Sequence, residues 1–214
     1  QPRSILRNQF LSTNVTIGND VSIRIGFIGL GHMGSKMVQN IVNDGHTVNV
    51  YDINNEVSTN LSNTNPLKII SKNTISDIAQ TSDIVFSMLP NDATVTATSD
   101  ELLKHANLNN FIHVSCSTIS PTTSRILQKQ YEEISPNSNN STQFIASPVF
   151  ARPDGIARKE AIFMVAGHEY GKSLVKNLLE SAGRIEDYGS DAGAANVVKL
   201  CGNFMIAVSL YIYS

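Results

Sequence analysis

Residues Ser22–Gly34 read SIRIGFIGLGHMG. The apolar run Ile23–Ile28 leads into Gly29-Leu-Gly31-His-Met-Gly34, a GxGxxG, and a helical spacing of apolar residues follows from Ser35. A strand that ends in such a loop and continues as a helix aims unpaired backbone N–H groups at a pyrophosphate. The first glycine makes the tight turn, the second lets a phosphate come close, and the third lets helix and strand pack. Alone, the pattern also fits a glycine turn in another α/β fold.

Downstream, short apolar runs alternate with helical patterns. Strands are predicted at Ile23–Ile28, Thr47–Tyr51, Leu67–Ile70, Asp83–Met88, Phe111–Ser115, Gln143–Ala146 and Ala161–Ala166. Ile84-Val85-Phe86 is apolar at successive positions, as in strands buried on both sheet faces. Helices are predicted at Ser35–Asp44, Ser76–Gln80, Ala93–His105 and Thr122–Ile134. Gly45 suits a stop after the first, and Pro121 suits the first turn of the last. The alternation implies an α/β fold of the doubly wound Rossmann type with a mainly parallel sheet. Ser135–Thr142, SPNSNNST, reads as a low-complexity loop. From Ala192 to about Tyr213 the pattern becomes one long apolar helix, expected to be buried against something. The expected division is a disordered leader at 1–20, a dinucleotide-binding domain at 21–190 and the start of a long interdomain helix at 191–214.

The 214 residues are 41% hydrophobic and 16% charged, which suits a globular core. A formal net charge of −2 gives no basic field for nucleic acid or an anionic membrane. No apolar run is read as long enough to cross a membrane. Cys116 and Cys201 fit a reducing compartment, cytoplasmic or mitochondrial, and read as packing residues. His46, His105, His113 and His168 are scattered, so no metal site is expected. The leader has Arg3, Arg7 and no acid before Asp20. That composition fits either the remnant of an organellar transit segment or an unstructured leader.

Asp52 ends the second predicted strand, about 20 residues past the glycine loop, where an acid accepts hydrogen bonds from an adenosine ribose. A carboxylate there repels a 2′-phosphate, and no Arg or Lys follows in Ile53–Asn60, so NAD is favoured over NADP. Asp52 also suits the cap of a following helix. His32, inside the loop, reads as solvent-facing.

Gly26–Ile41, GFIGLGHMGSKMVQNI, closely resembles the opening of the β-hydroxyacid dehydrogenases, a family related to 6-phosphogluconate dehydrogenase. Ser87-Met-Leu89-Pro90 resembles its MLP segment. Ser115-Cys-Ser117-Thr118-Ile-Ser120-Pro121 resembles its D-x-S-T-x-x-P segment, with Ser115 in place of the acid. Gly193-Ala-Ala-Asn-Val-Val-Lys199-Leu-Cys-Gly-Asn203 resembles its catalytic helix. The resemblance implies cofactor contacts from Gly29, Leu30, Gly31, His32, Met33, Gly34, Asp52, Leu89, Pro90, Thr94 and Thr118. It implies substrate contacts from Ser117, Pro148 and Val149, and catalysis by Lys199 with Asn203. Thr118 and Ser120 are also placed to cap the next helix.

The residues themselves are compatible with those roles. Lys199 and Asn203 are four apart and share a helix face. A lysine in an apolar helix is costly unless its head group reaches a cavity or partner. Partial burial lowers its pKa from about 10.4 toward a useful value. On the residues alone a snorkelling surface lysine with a capping or solvated asparagine is the favoured reading, and the resemblance turns it toward catalysis. The family's D-A-P-V-S-G-G appears as Ala146-Ser-Pro148-Val149-Phe150-Ala151-Arg152, so a hydroxyl is lost and a cation gained. Arg152 either binds a substrate carboxylate or pairs with Asp154 or Glu160.

The resemblance thus implies an NAD-dependent oxidoreductase interconverting a small 3-hydroxy acid and its semialdehyde or keto acid. The alternatives are an imine or larger-carbonyl reductase of the same fold, and a truncated cofactor-binding domain without catalysis. The expected partners are a small substrate with a carboxylate and, at full length, a second copy in a homodimer; nucleic acid and membrane are not expected. An all-α second domain follows the long helix in the family; the chain stops at Ser214, so it is read as lacking that domain.

Overall fold

A computed structural model describes residues 23–134 and 142–212. The leader, positions 135–141 of the asparagine-rich loop and the last two residues lie outside the described residues. The elements run β1 (Ile25–Ile28), α1 (Gly34–Asn43), β2 (Val48–Tyr51), α2 (Asn55–Thr64), β3 (Ile69–Ser71), α3 (Ile75–Thr81), β4 (Ile84–Ser87) and α4 (Asp92–His105). They continue as β5 (Ile112–Ser115), α5 (Pro121–Ile134), β6 (Gln143–Ala146), β7 (Val149–Phe150), α6 (Pro153–Ala157), β8 (Ala161–Val165), α7 (Glu169–Glu180), β9 (Gly183–Asp187) and α8 (Ala192–Ile212).

Strands β1 to β6 form one parallel sheet in the order β3-β2-β1-β4-β5-β6. This is the expected doubly wound fold, and its strand order reverses between β1 and β4. β1, β4, β5 and β6 are buried at every position, because helices cover both sheet faces. Phe27 and Phe86 stack across β1 and β4 with ring centroids 6.0 Å apart. Each such buried side chain contributes about 1.5–3 kcal/mol relative to exposure. The pairings Ile28–Tyr51, Ile28–Ser87, Ser87–Ser115 and Ser115–Ala146 bring the strand ends into line. The loops after β1, β2, β4, β5 and β6 therefore leave from one edge of the sheet.

Ala161–Ala166 was expected to be another strand of the same series. Instead, β8 centres a separate sheet, β7-β8-β9, antiparallel to β7 and parallel to β9. Among the described residues, the isolated bridge Ala146–Ala166 links the two sheets. α8 starts as predicted and is docked at its beginning. Arg125 on α5 donates to both carboxylate oxygens of Asp191 (2.8–3.2 Å), and Asp191 accepts from Gly193 N. Gln128 accepts from Ala192 N and donates to Ser190 O.

Two expectations about α8 are corrected. Burial holds for Ala192, Gly193, Ala195, Asn196 and Lys199, but Phe204, Met205, Leu210 and Ile212 are about 70% exposed. At 21 residues α8 is also long and apolar enough to cross a bilayer by length and composition, contrary to the reading that no run is. Glycine, alanine and a single lysine interrupt its apolar side chains without shortening the helix. Cys201 lies on this exposed part, so only Cys116 is the packing residue expected. Burial pushes the Cys116 thiol up to about 12.

Candidate active site

The glycine loop lies between β1 and α1, and its three glycines answer to three different constraints. Gly29 has φ +91°, a left-handed conformation that favours glycine. A Cβ on Gly34 would run into the Gly29 carbonyl oxygen, so the third glycine is required by close packing. A Cβ on Gly31 would meet nothing within 4 Å, because the second glycine faces open space. α2, α3 and α4 begin with N-cap side chains from Asn54, Thr74 and Asn91 that accept backbone N–H groups. α1 has no such cap and no acid in its first turn. Among the described hydrogen bonds, none uses the N–H of Gly31, His32, Met33 or Gly34. Donors without partners beside a side-chain-free surface fit a pyrophosphate.

Asp52 closes this corner. Its carboxylate accepts from Leu30 N (2.7 Å) and from Asn54 N (2.9 Å). The cap of α2 is Asn54, not Asp52, because Asp52 is turned toward the glycine loop. A cleft of about 660 Å³ opens here, lined by Gly29, Gly31, His32, Met33, Asp52, Leu89, Pro90 and Thr94 from the predicted set. Tyr51, Ile53, Ile75, Met88 and Thr98 add walls that the sequence did not single out. The lining contains no lysine or arginine. Leu30 is in the loop but its side chain is in the core.

Ser117 is buried, and its Oγ accepts from Leu89 N (2.8 Å), tying the loop after β5 to the cleft wall. Thr118 is exposed. The side chain that serves the start of α5 is Ser120, which accepts from Thr122 N (3.2 Å). Asn196, which sequence reasoning passed over, accepts from Ile119 N (3.1 Å) and donates to Ser124 Oγ (2.9 Å). An asparagine near the start of an apolar helix, one turn before Lys199, was the available signal. It fixes α8 to the same loop that Ser117 anchors.

Lys199 follows Asn196 by one helical turn and is only 9% exposed. Burial holds its ammonium below the usual lysine pKa. Asn203, four residues on, is exposed and makes no hydrogen bond to Lys199. Pro148 and Val149 are buried, with Val149 in the main core cluster, so their side chains are structural here. Of the two readings of Arg152, surface pairing is overturned. Arg158 takes both Asp154 (3.1 Å) and Glu160 (2.9 Å), and exposed Arg152 has no ion pair among the described residues. The structure thus gathers eight of the predicted cofactor residues in one cleft, leaves Leu30, Gly34 and Thr118 out of its lining, and ties the Ser117–Ile119 loop to both the cleft wall and the helix of Lys199.

Residues 24–201 match the family described as the NAD binding domain of 6-phosphogluconate dehydrogenase. The mitochondrial 3-hydroxyisobutyrate dehydrogenase of Drosophila melanogaster is 34% identical over 87% of this chain and 55% of its own length. An NAD-dependent L-serine dehydrogenase of Pseudomonas aeruginosa is 30% identical over 86% of the chain and 60% of its own length. A solved structure of Mycobacterium tuberculosis 3-hydroxyisobutyrate dehydrogenase with L-serine superposes with a TM-score of 0.77 at 26% identity. That match covers 87% of this chain and 60% of the other. The chain spans a little over half the length of the relatives it matches.

Proposed function

The chain belongs to the β-hydroxyacid dehydrogenase family, and from that premise we propose that it carries the cofactor site and the acid/base lysine of an NAD-dependent 3-hydroxy acid oxidoreductase. One observation carries the reading: the cleft and Lys199 are joined by a short run of fixed contacts. Leu89 in the cleft wall donates to Ser117, and two residues on Ile119 donates to Asn196, one turn from Lys199.

In this reading the N–H groups of Gly31 to Gly34 receive the pyrophosphate, and Asp52 receives the adenosine ribose. Held by Leu30 N and Asn54 N, Asp52 keeps lone pairs for ribose hydroxyls and opposes a 2′-phosphate. The cleft offers no cation to offset that opposition. When bound, NAD supplies the hydride acceptor, or as NADH the donor. Lys199 manages the proton at the substrate oxygen. Its neutral amine takes the hydroxyl proton as the hydroxy acid is oxidised, and its ammonium returns a proton to the carbonyl oxygen in reduction. A pKa lowered by burial makes both forms accessible nearer neutral pH. The Ser117 Oγ spends one lone pair on Leu89 N, which leaves its O–H free to donate to the substrate. Arg152, without an ion partner, is assigned the substrate carboxylate. Asn203 is assigned to the same oxygen as Lys199, on the strength of the shared helix face.

Lys199→Ala in the protein carrying this chain is expected to lower turnover of 3-hydroxyisobutyrate or L-serine at least ~10³-fold, while NADH affinity stays within about twofold. Unchanged turnover would sink the proposal. Tighter binding of NADPH than of NADH would overturn the cofactor assignment. Faster reduction of matched imines than of aldehydes would transfer the reading to an imine reductase.

A further inference from the structure

The Lys199 ammonium lies 3.8 Å from the centroid of the Phe150 ring. Among the described residues it has no carboxylate partner and no hydrogen bond, although it is nearly buried. Lysine's four-carbon stem is flexible, so something else must select one position for its head group. Phe150 is suited to that. It is fixed on β7 by antiparallel pairing with Ile162 of β8. Its ring also reaches α8 beside Lys199, where a Cβ on Gly202 would run into Phe150 Cζ. Gly202 is three residues past Lys199, on the same face of the helix. The ring therefore sits in a gap that only glycine leaves. This is also where the chain departs from the family it resembles, which has a serine in place of Phe150.

We propose that Phe150 is a positioning residue for Lys199: its ring, seated in the gap left by Gly202, holds the ammonium by its face. The inference rests on the reading of Lys199 as the acid/base. A ring face attracts a cation through its quadrupole yet cannot accept the proton or form an ion pair with it. A carboxylate in the same place would bind the charged form far more strongly and hinder proton release. Phe150 instead stabilises the ammonium modestly against the burial that opposes it.

The charges on the elements packed against α8 are paired elsewhere, and among the described residues the unpaired charge nearest Phe150 in sequence is the exposed Arg152, two residues on. The elements packed most extensively against α8 are α5, β6 and β8, and β7 reaches it through Phe150. β6, β7 and β8 carry no charged side chain, and Lys199 is the one charged residue of α8. On α5, Arg125 is taken by Asp191, Lys129 by Glu133, and Glu132 by Gln128.

The test needs neither substrate nor cofactor. Lys199 acylation by a small amine-reactive reagent is followed against pH by peptide mass spectrometry, in the chain and in three variants. Phe150→Leu keeps most of the apolar volume but removes the ring face, so the Lys199 midpoint should fall by about 0.5–1 pH unit. Phe150→Tyr keeps the face and should superpose on the wild type. Gly202→Ala displaces the ring from the other side and should move the midpoint as leucine does. An unmoved midpoint in Phe150→Leu, or a tyrosine variant displaced as far as leucine, overturns the proposal. If Phe150→Leu fails to fold, Gly202→Ala decides: a lowered midpoint supports the contact and an unmoved one overturns it. An NADH titration on the same samples separates this outcome from failure of the oxidoreductase reading, because the Lys199–Phe150 contact does not depend on cofactor binding.

Discussion

The glycine-loop cleft and the outer half of α8 are both rich in apolar side chains, and the chain treats them in opposite ways. Around the loop, Leu30 is buried and Met33, Met88 and Leu89 are half-buried. Beyond Lys199, Phe204, Met205, Leu210 and Ile212 each lie about 70% open. The cleft is walled by the loops after β1, β2 and β4, all delivered to one sheet edge by strand register. α8 is walled along its first three turns, where Asp191 and Asn196 meet α5 and the loop before it and Phe150 packs beside Lys199 and Gly202. The cleft therefore has its walls among the described residues. The proton transfer proposed for Lys199 would draw on a lysine whose inner side is built and whose helix continues into the open.

The largest effect should come from the loop itself, and two glycines separate fold from function there. Gly34→Ala forces a methyl group into the Gly29 carbonyl, so both thermal stability and NADH affinity should fall, the latter by at least ~30-fold, or about 2 kcal/mol. Gly31→Ala places its methyl group in empty space, so the melting temperature should stay within about 1 °C while NADH affinity still drops. Calorimetry and NADH fluorescence titration on the two variants check this. Full NADH affinity in Gly31→Ala would show that the cleft is not where the pyrophosphate sits.

A smaller effect, on stability alone, should come from the core beneath the cleft. Ser87, His113, Tyr131 and Ser99 form a buried hydrogen-bonded run, with Ser87 Oγ to His113 Nε2 at 2.9 Å and His113 Nδ1 and Ser99 Oγ each 3.1 Å from Tyr131 OH. Burial pushes His113 down to about 3. The folded chain keeps the imidazole neutral, whereas the unfolded chain takes up a proton below about 6.5. The stability is thus complete above about 6.5 and is lost as pH falls toward 3, by at most ~1.4 kcal/mol per pH unit. The carboxylates held low by Arg24, Lys172 and Arg125 lose their contribution only further down, as pH falls through the ordinary aspartate range near 3.8. Urea unfolding between pH 6 and 4.5 should therefore show a slope that His113→Gln removes. A slope unchanged in that variant would assign it elsewhere.

The sequence was most readable where structure depends on neighbours in the chain. Glycine at 29, 31 and 34 and an acid at 52 have local meanings: Gly29, Gly31 and Asp52 line the cleft, and Gly34 packs beneath it against the Gly29 carbonyl. The strands of the main sheet were legible because burial on both faces leaves unbroken apolar runs. β9 was missed because Gly-Arg-Ile-Glu-Asp is mostly exposed and polar. α7 was missed although Val175, Leu178 and Leu179 mark a buried stripe. Phe150 and Gly202 are 52 positions apart, and nothing in either segment announces that one makes room for the other. The same holds for Arg152, whose freedom became visible only when Arg158 was found holding both acids.

The smallest effect should come from the outer half of α8, and it probes the contrast with the cleft most directly. A side chain exposed in the folded chain is nearly as exposed in the unfolded one, so replacing it removes little burial. Phe204→Ser and Leu210→Ser should each change the unfolding free energy by less than about 0.5 kcal/mol, against about 3–5 kcal/mol for Phe86→Ala in the stacked pair of β1 and β4. NADH affinity should not move in either serine variant, because the cleft shares no wall with residues 204–212. Denaturant unfolding at low protein concentration measures the first quantity, and fluorescence titration the second. A serine variant that loses 1 kcal/mol or more would mean that this face is covered in solution, and a dependence of that loss on protein concentration would identify the cover as a second copy of the chain.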